Sequence, residues 1–322
     1  MTARTQRVVG IGLQGATGTA VYPDVLLRAT CDLKPKVTKI HPAEDIASYA
    51  PKRHYVAAVE AEGTLKMDAT YEELLYLLAM AMPYDEPAAT YLYEFPLPHQ
   101  TAPATYLFTL EYQDSGPHDL SGAYTLRTTD TIATDLTISG VAGEGWQAEA
   151  TLGARKIEYI TNFSDNILHL VNTAPTPIKM AETTLLIDAD WASIGGTTVE
   201  EFISFNYKVE NLKHMKKWAG SLYPNGHGYG QWKTTLEIVL DMNTECLTLA
   251  DAVLSTTQFA VRIKGYVDAN NYCYIDGMFM VEDVSTLDER DSNNIMKYTL
   301  LGEADSSGNT GLISLQNDIA GI

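Results

Sequence analysis

A glycine-spaced hexapeptide, GIGLQG (Gly10 to Gly15), follows the apolar pair Val8 and Val9. Its GxGxxG spacing is the one with which a strand presents a dinucleotide phosphate to a helix N-terminus. That chemistry needs a helix directly after the third glycine, and Thr17, Gly18, Thr19, Val21 and Pro23 oppose one. Asp32 stands near the distance of a ribose-binding carboxylate, yet Leu27 to Leu33 alternates as a strand. The residues read instead as a Gly-rich arm over 1–24 that orders only against a neighbour. His227 lies among glycines in NGHGYG, and a turn ahead of the alternating stretch Tyr229 to Leu240 accounts for them. Asp188 and Asp190 in DADWASIGGTTVE begin like a calcium loop, but Ser193 occupies the turn-glycine position and Val199 that of the bidentate acid. Cys31, Cys246 and Cys273 form no CxxC pair, so they imply neither zinc nor a disulfide framework and read as buried small hydrophobes. No HExxH, HxH, GxSxG or Walker lysine pattern occurs. Catalytic, cofactor and metal sites are therefore all assigned as none, and the chain is not expected to be an enzyme. Glu60 and Glu62, at i,i+2, place two carboxylates on one strand face, for which a solvated face is the ordinary explanation.

The element that carries those glutamates organises the chain. From Tyr55 to Met67, Ala57, Val59, Ala61, Leu65 and Met67 alternate with Glu60, Glu62, Thr64 and Lys66, the period of a half-buried strand. The period then changes: Thr70 and Glu73 have capping-box spacing, Leu74, Leu75, Leu77, Leu78, Met80 and Met82 are too densely apolar for an exposed helix, and Pro83 stops the run. The pattern returns as the strand Gly230 to Leu240, a cap at Asn243 or Thr244, and a helix over Glu245 to Leu254. Each unit is preceded by an extended stretch, Val25 to Ile40 and Phe202 to Leu212, and followed by further strands. Those are Thr105 to Tyr112, Gly122 to Thr129, Thr131 to Ile138 and Gly145 to Gly153 in the first half, and Gln258 to Val267, Tyr272 to Val284 and Asn294 to Ala304 in the second. Such order is what a duplication leaves. Between the first helix and the next strand lies a proline-dense loop, 83–103, carrying Tyr91, Tyr93 and Phe95. It reads as an exposed loop or an edge hairpin, with the aromatics either contacting another subunit or folding back over the sandwich.

Forty-one acidic side chains against 22 basic give a formal charge of −19, which opposes tight binding through phosphates. No stretch has the length of uninterrupted apolar residues that a membrane span needs, and MTARTQRVVG lacks a signal-peptide core, so a soluble, cytosolically made protein is expected.

The Gly-rich opening with GTA at Gly18 to Ala20, the pattern AEGTLKM…EELLYLLAMAM, and the central PIKMAETTLLID…GTTVEEFISFNYKVEN together resemble the tail tube proteins of long-tailed (siphovirus-like) bacteriophages, over nearly the whole chain. The resemblance implies a mainly β fold of two tandem tail-tube-type β-sandwich or barrel units, each with one short α-helix. The expected organisation is an arm at 1–24, a first unit at 25–162, a linker at 163–200, a second unit at 201–304 and a polar tail at 305–322. It also implies a structural virion protein whose rings, of three chains with pseudo-sixfold symmetry or alternatively hexameric, stack into a hollow tube. Genomic DNA passes through that tube without specific binding. Its implied partners are itself and the tape-measure, tail-tip and tail-terminator proteins; its location is the phage tail, assembled in host cytoplasm, with no cofactor. Glu60, Glu62 and Glu237 are expected to line an acidic lumen, and Tyr91, Tyr93 and Phe95, with the N-terminal arm, to contact neighbouring subunits. A non-catalytic binding module of the tail tip or baseplate is the other reading, and only the tube predicts polymers of one protein.

Overall fold

A computed structural model describes residues 6–42, 54–84, 91–97, 106–115, 124–160, 174–242, 249–285, 288–290 and 293–319. The chain is mainly β, in antiparallel sheets with two helices, an architecture of sandwich and barrel type. In order come β1 (Gln6–Leu13), β2 (Val25–Leu27), β3 (Ala29–Ile40), β4 (Tyr55–Asp68), α1 (Leu74–Ala81), β5 (Leu92–Pro96), β6 (Phe108–Ser115), β7 (Tyr124–Val141), β8 (Gln147–Ala154) and β9 (Lys156–Ile160). Then follow β10 (Thr183–Asp188), β11 (Thr198–Val199), β12 (Phe202–Glu210), β13 (Lys213–Lys216), β14 (Gly226–Tyr229) and β15 (Lys233–Asp241). The last are β16 (Gln258–Asp268), β17 (Asn271–Val284), β18 (Asp288–Arg290), β19 (Asn293–Gly302) and β20 (Gly311–Gln316). The described part of the second helix covers residues 249–252; the rest of its expected range, with Cys246, lies outside the described residues.

One pairing scheme occurs twice. In the first half β1 pairs with β2 and β6, β6 with β7, β7 with β9 and β8, β8 with β4, and β4 with β3. In the second half β10 pairs with β11 and β16, β16 with β17, β17 with β20 and β19, β19 with β15, and β15 with β12. In both, the long strand pairs with one set of strands through its N-terminal part and with another through its C-terminal part. A register shift lies at the same place in each: Ala133/Asp135 opposite Leu152/Thr151, and Val281/Asp283 opposite Leu300/Thr299. The two strands expected over Gly122 to Thr129 and Thr131 to Ile138 are thus one bent strand. Asp130 takes a left-handed φ of 52°, accepts the Gly18 N–H at 2.7 Å and donates its own to Gln14 Oε1 at 2.9 Å, so the chain turns a corner without leaving the sheet.

Four expectations about the ends and loops are corrected. Residues 6–13 are no arm: β1 pairs along its full length with β6, and Val9 and Ile11 are buried. Gly12 of GIGLQG serves that position, because residues 21–23 cross the face of β1 and a Cβ on Gly12 would stand 3.0 Å from the Tyr22 carbonyl oxygen. The linker 163–200 contains β10 and β11, and the tail from 305 contains β20, whose Ile313 and Leu315 are buried. In the proline-dense loop, β5 adds to the edge of β20, setting Phe95 opposite Ile313 and Tyr93 opposite Leu315. Both aromatics are fully buried. They have folded back into the core, and neither is free to contact a subunit; Tyr91, 41% exposed with φ 51°, is the aromatic that remains at the surface.

The α1 helix forms where the period changes, every one of its side chains buried. The Thr70 hydroxyl accepts the Glu73 N–H at 3.1 Å and donates to the Glu73 carboxylate at 3.4 Å. That buried carboxylate also accepts the Arg28 backbone N–H at 3.2 Å and its guanidinium at 2.9 Å, tying the helix start to the chain between β2 and β3. Charge-assisted bonds of this kind contribute about 1.5–3 kcal/mol. Glu73→Gln is therefore expected to lower stability by about 2 kcal/mol in urea denaturation; a loss under about 0.5 kcal/mol would show that the carboxylate is dispensable.

Candidate functional site

The antiparallel registers place one continuous polar face across eight strands in the order β3-β4-β8-β7-β12-β15-β19-β17. Across it Lys36 lies opposite Glu60, Lys34 opposite Glu62, Lys66 opposite Glu149, Thr137 opposite Glu149 and Lys208, Asn206 opposite Ser139 and Glu237, and Thr299 opposite Glu237. The other face is apolar and buried: Leu33, Leu65, Ala150, Leu136, Tyr207, Ile238 and Tyr298 follow one another from strand to strand. Strand alternation alone produces this division.

Glu60, Glu62 and Glu237 all lie on the polar face, with β8, β7 and β12 between the first two and the third. Lysines compensate each of them. Glu62 meets Lys36 at 2.8 Å and Lys34 at 3.6 Å; Glu60 meets Lys217 at 3.1 Å and Lys36 at 3.8 Å; Glu237 meets Lys297 at 2.8 Å and accepts from Asn206 at 3.3 Å. The hydrogen bond from Lys36 holds the Glu62 carboxyl below its usual range. At Glu237 burial pushes the pKa up, and the bonds from Lys297 and Asn206 outweigh it, so the net shift is downward. Lys66 pairs with Glu149 at 2.7 Å and Lys208 with Glu210 at 2.6 Å. The face is thus a mixed-sign lattice and not a bare acidic wall of the kind expected around Glu60, Glu62 and Glu237. Exposed pairs like these contribute little to stability.

The two halves join along β7 and β12. Ser139 lies opposite Asn206, Thr137 opposite Lys208 and Leu136 opposite Val209. Beyond the strand, the register shift of β7 turns the Thr134 carbonyl to the Leu212 N–H at 2.9 Å and the Asp135 carboxylate to the Asn211 N–H at 3.1 Å. Two further elements brace the joint. β5, from the first half, closes the edge of β20 in the second. The β13–β14 hairpin reaches back over β4, where the Val59 N–H donates to the Leu222 carbonyl at 2.8 Å and Lys217 pairs with Glu60.

Sequence reasoning missed Lys213 and Trp146. The Lys213 amine is buried, donates to the Met80 carbonyl at 2.8 Å at the last turn of α1, and has no carboxylate partner among the described residues. Burial brings its pKa down to about 7. Nothing in NLKHMKKW separates it from Lys216 and Lys217, which stay exposed. His227 stands on β14, and burial, with Lys213 nearby, lowers its pKa. Asp188 accepts the N–H groups of Gly195 and Gly196 at 2.8 and 3.0 Å, closing a turn. Cys31 and Cys273 are buried free thiols; burial pushes the former up to about 12 and the latter higher still.

No protein-family model and no curated protein matches the chain. Among solved structures it is similar to the SPP1 tail tube, determined by solid-state NMR and cryo EM, with a TM-score of 0.32 and 14% sequence identity over 45% of this chain and 82% of that one.

Proposed function

We propose that the chain is a structural virion protein, a tail tube subunit that assembles into stacked rings through whose hollow centre the genome reaches the host. The observation that carries this reading is the eight-stranded run, in which two sets of four strands with the same order join edge to edge through β7 and β12. A sheet made of two like parts joined by strand pairing is an arc of a larger wall, and closure removes its remaining edges. Three chains would supply 24 strands; at ~4.8 Å spacing the circumference is ~115 Å and the diameter ~37 Å before tilt widens it. On this reading the polar face bearing Glu60, Glu62 and Glu237 lines the channel. Its paired charges offer phosphates no cationic stripe to grip, while the total of −19 keeps them from settling. The tape-measure, tail-tip and tail-terminator proteins are the partners of such a tube, and the phage tail, put together in host cytoplasm, is its place.

Negative-stain electron microscopy of concentrated protein, with rotational averaging of end-on views, tests the reading. Hollow six-lobed rings or tubes with a three-chain mass per ring are expected. Compact monomers under every condition, including with a tail initiator complex present, would replace it with the binding-module reading.

A further inference from the structure

Among the described strands, the two four-stranded sets join once, through β7 and β12, and their two complementary edges are left unpaired. β3 pairs only with β4 among the described strands, and the 281–284 end of β17 pairs only with β19. Because the same scheme occurs twice, each residue of the internal joint has a counterpart at those edges. Leu65 and Ile238 occupy like positions on β4 and β15, as do Cys31 and Phe205 on β3 and β12, which sets Leu33 with Tyr207, Lys34 with Lys208 and Pro35 with Val209. The common register shift sets Asp135 with Asp283 and Leu136 with Val284.

Burial differs between the joint and its open counterpart in the way a missing neighbour produces. Val209 and Leu136 are fully buried, whereas Pro35 is exposed and Val284 only half-buried. Val37, next along the β3 edge, is 41% exposed. Charge is complementary as well. The β3 edge carries Lys34, Lys36 and Lys39, while the β17 end carries Glu282 and Asp283, both exposed. At the internal joint the same arrangement is already made, with Asp135 acting on Lys208. An exposed edge with apolar side chains is a template for a further strand.

We infer that the outer edge of β3 joins the 281–284 edge of β17 in a second copy of this chain, antiparallel and in the register that β12 and β7 use internally. Pro35 then lies opposite Val284 and Lys34 opposite Ser285, and the Asp283 carboxylate accepts the Val37 N–H as Asp135 accepts that of Asn211. Pro35 carries no N–H, so at its position the joint makes one ladder hydrogen bond fewer than another residue would allow. The inference specifies the contact that the tube reading leaves open, and so rests on that reading.

Directly opposite residues of an antiparallel pair are within disulfide reach. Lys34→Cys/Ser285→Cys, mildly oxidised after assembly, is therefore expected to give a ladder of chain multimers on non-reducing gels, absent from either single variant. Asp283→Lys should abolish assembly without moving the melting temperature, and Lys34→Glu/Asp283→Lys, which restores the charge pair but not the acceptor for the Val37 N–H, should recover it in part. If rings form but Asp32→Cys/Ser285→Cys cross-links in place of the first pair, the register is wrong although the tube reading stands. If rings form and neither pair links, and Asp283→Lys assembles normally, the joint lies elsewhere. If the unmodified protein never associates, both readings fall together.

Discussion

Replacing Trp146 by alanine is expected to lower stability by about 3–5 kcal/mol, the range for removing a fully buried tryptophan. Trp146 stands just before β8, in the first half, yet its environment comes largely from the second. Its ring meets Phe205 of β12 edge-on at 4.9 Å, and its indole N–H donates to the Thr183 hydroxyl at 2.9 Å. Gly265 of β16 faces it so closely that a Cβ there would lie 3.2 Å from the ring. The backbone is equally committed, donating to Ile178 and accepting from Ala69, each at 2.8 Å. Loss of the ring should therefore loosen the halves from each other as well as open a cavity. Urea denaturation followed by near-ultraviolet and far-ultraviolet signals should give transitions that no longer coincide. A single coincident transition displaced by less than about 1 kcal/mol would mean the wedge is not what holds the halves together.

Lys213→Met is expected to act in the opposite direction, raising stability at neutral pH and removing a pH dependence. The Lys213 amine is buried with one carbonyl for a partner, and burial sets its pKa at about 7. In the unfolded chain it keeps the ordinary lysine value, so between about pH 7 and that value the unfolded state holds a proton that the folded state lacks. Stability must then rise with pH across the window, at about 1.4 kcal/mol per unit for this one group. Below pH 7 both states are protonated and the dependence flattens, with the cost of the buried charge at its full value. At pH 7 that cost amounts to about 4 kcal/mol relative to strongly alkaline solution. A methionine of similar length fills the space and removes the term, less the bond to Met80. Chemical denaturation from pH 6 to 9.5 checks it: the parent should gain stability relative to the variant as pH rises, and parallel curves would refute the titration.

Much of this was legible from side-chain period. The handover from β4 to α1, the Thr70/Glu73 cap and the common face of Glu60 and Glu62 all follow from local spacing, which the fold had no reason to override. What failed depended on partners far along the chain. The lysines opposite the glutamates are set by strand register, which no single segment encodes. Tyr93 and Phe95 have the i,i+2 spacing of an inward edge, but the prolines around them point to an exposed loop, and the strand they pair with, β20, comes more than 200 residues later. Gln14 and Asp130 hold each other across 116 positions, so neither the bent strand β7 nor the docking of the Gly-rich segment is visible from its own residues. Lys213 is buried by a helix from the other half, a fate its basic neighbours do not share.

Having the β7–β12 joint inside one covalent chain also changes what governs each contact. Its two strands meet at a fixed effective concentration, on the order of millimolar or more for tethered segments, however dilute the protein is. A contact between separate chains at the β3 edge obeys mass action instead. Dilution therefore probes that edge alone: a substitution at the internal joint shifts unfolding equally at every protein concentration, while one at the edge moves the threshold concentration for association and leaves the isolated chain unchanged.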